Sequence, residues 1–213
     1  MRTQERSVTT LARRLAVVTV VSLTTACSLT GTGDPGTAAT VGDRSIPAAE
    51  IDETLASIRG SSAFQQQAQG DTSGQFVLDA QNQVVTSFIR SEILDVVADR
   101  QDIAVSDDEV ARARDELVDQ LGGAEAFEDR IAEQGLSEEF VLQQLRDQQT
   151  QALLQDSIGA SEDLAAFIRD EIADVDIEVN PRYGQWDEAS LSVAPYDPLA
   201  VAGGAEAAAS DGP

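Results

Sequence analysis

Residues 75–100 constrain the fold more than any other segment, because their apolar side chains follow the 3.6-residue period of one long helix. One broad arc of that helix holds Val77, Leu78, Val84, Val85, Phe88, Ile89 and Val96, and the opposite side holds Phe76, Ile93, Leu94 and Val97. The second half is therefore apolar almost all round. Such a helix must be covered on both faces, so we predict that it lies at the centre of the fold.

Further helices are predicted from the same period and from their end signals. Their ranges are 47–60, 106–121, 124–134, 138–158 and 162–173. Ser106 and Glu109 form a capping box, and Gly122, Gly135 and Gly159 follow predicted helix ends. The acids after Ser106 favour the helix dipole and lack the alternating ligands of a calcium loop, so we assign them to capping rather than to a metal site.

Two regions have the two-residue period of strands. Residues 39–41 and 44–46 flank the turn Gly42-Asp43, and residues 175–179 alternate between apolar and acidic. An isolated hairpin is marginal in water, so we expect the late strand to add to the early hairpin. The predicted fold class is mainly α, with about six helices and a small two- to three-stranded sheet that joins the N- and C-terminal ends of the domain.

The basic residues limit the available chemistry. The chain has no histidine, and all 14 of its basic residues are arginine, against 38 acidic residues. Without His or Lys there is no Ser-His-Asp system, no His-bearing zinc site and no Schiff-base lysine, so we predict no enzyme activity, no catalytic residue, no metal and no cofactor. The formal net charge of −24 repels phosphate backbones, which excludes nucleic acid as a partner.

Residues 1–26 are typical of an export signal. Arginines within residues 2–14 precede the apolar run 15–23, which is too short to anchor the chain by spanning a membrane. Cys27, the only cysteine, follows in the pattern of a lipoprotein box. We therefore predict that the chain is cleaved before Cys27 and that Cys27 carries lipid, with palmitate among its acyl chains. This lipid would attach the protein to the outer face of the cell membrane. The alternative is an unmodified secreted protein with a free thiol. Whether general or twin-arginine export is used stays open.

The remaining chain divides by composition. Residues 27–37 are small and polar and are predicted to form a flexible tether. Residues 38–186 hold the periodic segments and form the predicted domain. Residues 187–213 are predicted to be mostly disordered. Tyr183 and Trp186, just after the closing strand, are predicted to close one end of the helical core, with Arg182 packed on a ring.

Three segments in this order, ATVGDRSI at 39–46, VSDDEV at 105–110 and FVLQQLR at 140–146, resemble a known pattern. The chain resembles the N-terminal chaperone domain of SurA-like extracytoplasmic foldases, a superfamily that includes PrsA foldase lipoproteins and the trigger factor peptide-binding region. The resemblance covers roughly residues 38–186. Members usually add parvulin-type prolyl isomerase domains, for which this length leaves no room. The resemblance therefore implies the chaperone part without the catalytic part.

This resemblance implies a lipid-anchored chaperone that holds unfolded or nascent exported polypeptides in an apolar groove between helices. The acidic surface would favour basic or neutral clients. Two alternatives stay open: an adaptor or structural lipoprotein that binds one dedicated partner, and a prolyl isomerase. The candidate client-binding residues lie off the main apolar stripes or on a short helix, and each has ordinary core packing as its alternative. These candidates are Phe76, Leu94, Phe127, Phe140 and Leu154.

Overall fold

A computed structural model describes residues 34–196, and helices account for 62% of them, which confirms the mainly α class. The helices are α1 (Ala48–Gly60), α2 (Ser62–Ala68), α3 (Gln75–Arg100), α4 (Asp107–Leu121), α5 (Ala124–Gln134), α6 (Glu138–Ile158) and α7 (Leu164–Glu171). The strands are β1 (Thr37–Val41), β2 (Arg44–Pro47), β3 (Ile177–Val179), β4 (Gln185–Asp187) and β5 (Ser192–Ala194).

Helix ends follow the capping signals. The Ser106 hydroxyl accepts a hydrogen bond from the Glu109 backbone N–H at 3.3 Å, and the Glu109 carboxylate accepts one from the Ser106 N–H at 2.8 Å. This is a capping box, so the capping assignment of the acidic run is confirmed. The Ser137 hydroxyl caps α6 in the same way, accepting from the Phe140 N–H at 3.1 Å.

Helix α3 lies at the centre of the fold, as its two apolar faces predict. Val85, Ile89, Ile93 and Val97 are at most 2% exposed. The helix packs against α1, α2, α6 and α7, against both strands of the first hairpin, and against β5. Because neighbours cover it on several sides, most apolar side chains of the second half of α3 are buried, while Arg90, Asp99 and Arg100 stay exposed.

The predicted sheet at the two ends of the domain is confirmed. Its strand order is β2-β1-β3, with both pairings antiparallel. In the pairing of β1 with β3, Ala39 lies opposite Val179 and Val41 opposite Ile177. Ala39 and Val41 are buried in the main core, and Ile177 and Val179 pack against that core, so the closing strand adds apolar contacts as well as backbone pairing.

The aromatic residues after β3 close the end of the core, as predicted. Tyr183 is 2% exposed, and the Arg182 guanidinium lies over its ring at 4.5 Å from the centroid. The Tyr183 hydroxyl donates to the Asp52 carboxylate at 2.9 Å, and Arg182 also pairs with Asp52. The hydrogen bond from Arg182 holds the pKa of Asp52 below its usual value. The segment after β3 is thereby fastened to α1.

Two parts of the structure differ from the sequence prediction. Helix α2 lies in a stretch that has little apolar periodicity, and it is capped by Ser61.

The predicted disorder from residue 187 onward is wrong for residues 187–196, because β4 and β5 form a hairpin in which Trp186 lies opposite Val193. Val193 is buried, and its N–H donates to the Thr86 hydroxyl of α3 at 2.9 Å. A partner on a distant helix, rather than local pattern, orders this segment.

The other predictions for the chain ends, which include lipidation at Cys27 and the tether 27–37, fall wholly or largely outside the described residues. Among residues 34–196, no helix combines the length and the hydropathy that crossing a membrane requires.

Candidate functional site

A groove of about 580 Å³ runs between α1, α3 and the first half of α6. Phe88 of α3 and Phe140 of α6 form its apolar floor, with ring centroids 5.7 Å apart and ring planes tilted by 50°. Carboxylates from all three helices line it: Glu50, Glu53, Glu92, Asp95 and Glu139. We call this feature the acidic groove.

The loop between α5 and α6 closes part of the acidic groove at Gly135. This glycine has a φ of +70°, and a Cβ atom on it would lie 2.4 Å from the backbone oxygen of Ser57 in α1. Only a residue without a side chain permits this approach between the loop and α1. The shape of the groove therefore depends on a contact that any other residue would push apart.

A second groove of about 560 Å³ lies on the other side of the contact between α3 and α6, and α4 contributes Leu117 to it. Its apolar lining includes Leu94, Val141 and Leu145, and its polar lining is mostly uncharged. Among the described residues, the glutamine side chains that line it are Gln83, Gln144, Gln148 and Gln151. We call it the amide groove, and it shares Ser87 and Gln144 with the acidic groove.

A buried polar network separates the two grooves. Asp147 of α6 is 6% exposed, and its carboxylate accepts hydrogen bonds from the Ser91 hydroxyl and the Gln143 amide, both at 3.0 Å. Burial raises the pKa of Asp147 to about 6, against the effect of these two hydrogen bonds. The network fixes α6 against α3 at the point where Phe88 and Phe140 meet.

The carboxylates of the acidic groove are only partly neutralised. Arg44 of β2 pairs with Glu92 at 3.3 Å, with Asp95 at 3.6 Å and with Asp99 at 2.7 Å. Burial, together with the negative charges of Glu139 and Glu92, raises the pKa of Glu50. Carboxylates on α1, α3 and α6 therefore repel one another across one shared space.

The structure does not bring the five sequence-predicted residues together. Phe140 lies on the floor of the acidic groove, and Leu94 lines the amide groove at 4% exposure. Phe76 packs on Phe64 of α2, with ring centroids 5.0 Å apart. Phe127 is 1% exposed, with Arg114 of α4 over its ring, and Leu154 is fully buried in the main core. In this structure Phe127 and Leu154 are core residues.

Sequence reasoning missed Phe88 as a site residue. On the helical wheel Phe88 lies on the same arc as Val85 and Ile89, both of which are fully buried. Phe88 differs from them because α6 passes beside it and leaves one side of the ring open to the groove. No signal within residues 75–100 shows where another helix will cross.

A sequence model described as the SurA-like N-terminal domain matches residues 1–155. The chain belongs to the SurA-like N-terminal domain family. All residues that line the two grooves, from Glu50 to Gln151, lie within the match. The SurA-like domain is of chaperone type rather than catalytic, and no parvulin domain was matched. No curated protein matches the chain.

Proposed function

We propose that this SurA-like protein is a lipid-anchored holdase that binds unfolded or extended polypeptide in the acidic groove, outside the cytoplasmic membrane. The observation that supports this most directly is the pair of half-buried rings, Phe88 and Phe140, at the floor of an open groove in a chaperone-type domain. Aromatic side chains bury large apolar areas and suit many partner side chains.

The polar lining fits a ligand that exposes its backbone. Ser87, Ser91 and Gln143 face the acidic groove beside the two rings. The Ser87 hydroxyl donates to the Val84 carbonyl, and the Ser91 hydroxyl and the Gln143 amide donate to Asp147, so these side chains offer a client their acceptor oxygens. Such oxygens pair with backbone N–H groups whatever the client sequence. Ordering an unfolded segment costs conformational entropy at every immobilised residue, and we therefore expect weak binding with fast exchange.

Replacing Phe140 by Ala is expected to weaken the binding of unstructured peptides about tenfold, since it removes half of an aromatic anchor. The measurement is the fluorescence anisotropy of several labelled peptides of unrelated sequence that contain Phe and Leu. Binding of many such peptides supports a holdase, whereas binding of none of them, together with capture of one dedicated partner, supports an adaptor.

Phe76→Ala is the matched control, because Phe76 belongs to a similar ring pair outside both grooves. We expect it to bind peptides like the parent chain. If Phe76→Ala weakens binding and Phe140→Ala does not, the binding surface lies at the corner of α2 and α3 and the acidic groove is the wrong site. Melting curves establish that both variants are folded.

Replacing Cys27 by Ser is expected to release the protein from the membrane fraction. Cleavage before Cys27 removes four arginines and Glu5, which takes the formal net charge from −24 to −27, so basic residues cannot hold the chain to anionic lipid. Fractionation of cells that express either form provides the measurement. A Cys27→Ser chain that stays with the membrane contradicts the lipoprotein assignment.

A further inference from the structure

The acidic groove has an unusual combination of an aromatic floor and a carboxylate rim. Glu50 and Glu53 come from α1, Glu92 and Asp95 from α3, and Glu139 from α6. No arginine is among the described residues that line it. A client with apolar side chains alone would displace water from these carboxylates and offer no hydrogen bonds in place of those that the water made. This loss costs free energy.

Within the part of the chain that the structure describes, arginine side chains pair with carboxylates on one side of the groove only. Arg44 pairs with Glu92 and Asp95. Among residues 34–196, Glu50, Glu53 and Glu139 form no ion pair. The α1 and α6 sides of the groove therefore carry negative charge that the fold leaves uncompensated, above an apolar floor.

The arrangement suits a long organic cation better than a metal ion. Within the part of the chain that the structure describes, no three acidic side chains converge closely enough to hold a metal. A lysine or arginine side chain has an apolar stem that covers a ring while its charged end reaches a carboxylate some distance away. Its cation is also attracted to the face of an aromatic ring.

We propose that the acidic groove selects polypeptide segments in which a lysine or arginine lies next to an apolar side chain. The apolar side chain packs on the contacting ring pair of Phe88 and Phe140, and the cation pairs with Glu50, Glu53 or Glu139. This inference rests on the proposed function and names the class of client. A second copy of this chain does not fit, because each copy has a formal net charge of −24.

The test compares two labelled unstructured peptides that have the same apolar residues, one with lysines and the other with glutamates. At low salt we expect the lysine peptide to bind about tenfold more tightly. The groove variant Glu50→Gln/Glu53→Gln/Glu139→Gln is expected to remove most of that preference. Raising the salt concentration should reduce the preference in the parent chain, because salt screens exposed charges.

The matched control is Asp108→Asn/Glu125→Gln/Glu128→Gln. It removes the same charge and, like the groove variant, changes two acids in first helical turns, but none of its residues lines the acidic groove. We expect it to keep the preference for the lysine peptide. If it loses as much of that preference as the groove variant does, overall charge causes the selection and the inference is wrong.

Carbodiimide cross-linking locates the cation even if the groove variant does not fold. The reagent converts a carboxylate into an O-acylisourea ester. The amine of a peptide lysine then attacks this ester, forms an amide bond and releases the reagent as a urea. Because this chain has no lysine, the peptide supplies the side-chain amines. Cross-links at Glu50, Glu53 or Glu139, mapped by mass spectrometry, support the inference, and cross-links confined to acids outside the groove overturn it.

The remaining outcomes separate the two proposals. If both peptides bind equally and Phe140→Ala weakens both, charge selection is wrong and the proposed function stands. If neither peptide binds to the parent chain, the proposed function fails, and the inference fails with it.

Discussion

A chain that ends at Asp174 is expected to lose its cooperative fold. The truncation removes β3, the strand that pairs with β1 and packs Ile177 and Val179 against the core. It also removes the buried side chains of Tyr183 and Val193. Each fully buried side chain of this size contributes about 1.5 to 3 kcal/mol, and a domain of this kind has a total stability of about 5 to 15 kcal/mol. The loss therefore approaches the whole free energy of unfolding.

A chain that ends at Asp187 tests the second hairpin separately. It retains β3 and Tyr183 but lacks β5, and so it loses Val193 and the hydrogen bond to the Thr86 hydroxyl. Burial of one valine and one buried hydrogen bond together are worth about 3 kcal/mol. We expect the melting temperature to fall by about 10 °C. A disordered tail, as the sequence suggested, would instead leave the melting temperature unchanged.

The reference for both truncations is a chain that ends at Tyr196, which keeps every described residue. Thermal melting followed by far-ultraviolet circular dichroism gives the comparison. If the chain ending at Asp174 melts cooperatively at the same temperature as the reference, the pairing of β1 with β3 does not stabilise the domain. If the chain ending at Asp187 melts at the same temperature as the reference, the hairpin of β4 and β5 is not part of the cooperative unit.

Helices were predictable where strong local signals mark both ends. The bounds of α3 at Gln75 and Arg100 follow from apolar periodicity between polar segments. The ends of α4 and α5 coincide with Gly122 and Gly135, which adopt the left-handed conformation that terminates helices. In these segments the information needed to begin and end a helix is local, and tertiary contacts agree with it.

The elements that sequence analysis missed are held by distant partners. Helix α2 has a single large apolar side chain, Phe64, and this ring packs on Phe76 of α3. Strands β4 and β5 have three residues each, which is too few for a two-residue period to stand out. Their order depends on Thr86 and on Arg90, whose guanidinium donates to the Leu191 carbonyl at 2.7 Å.

The candidate site was only partly predictable, because helical periodicity shows which side chains are apolar and not which of them a neighbour covers. The position of Phe140 off the main stripe of α6 predicts a client-binding residue, and Phe140 does line the acidic groove. The position of Leu154 predicts the same role, yet Leu154 is fully buried in the main core. The difference arises from the crossing of α3 and α6, a property of tertiary packing.

The second large effect is expected at the buried Asp147, whose replacement by Asn should stabilise the domain at neutral pH. Burial raises the pKa of this carboxyl from 3.8 to about 6. A difference of this size corresponds to about 3 kcal/mol between the two protonation states. Asparagine has no charge to bury, and its side-chain oxygen still accepts the hydrogen bonds from Ser91 and Gln143.

The sign of the pH dependence follows from which state binds the proton more tightly. Between pH 4 and pH 6 the unfolded chain releases the Asp147 proton first, while the native state still holds it. The native state therefore loses stability as pH rises through this window. Below about pH 4 both states are protonated and the charge has no cost, and above about pH 6 the full cost is present.

Melting temperatures of the parent chain and of Asp147→Asn, measured from pH 4 to pH 8, provide the test. The two melting temperatures should be nearly equal at pH 4, and the variant should become more stable than the parent by up to about 3 kcal/mol as pH approaches 7.

Asp156→Asn is the control, because Asp156 is an exposed aspartate on the same helix and lies outside the buried network. Carboxylates that do not interact with Asp147 change both curves equally, so the difference between parent and variant reports Asp147 together with its electrostatic coupling to Asp95. If Asp147→Asn and Asp156→Asn shift the curve alike, overall charge causes the effect, and the buried carboxylate does not bear the cost assigned to it.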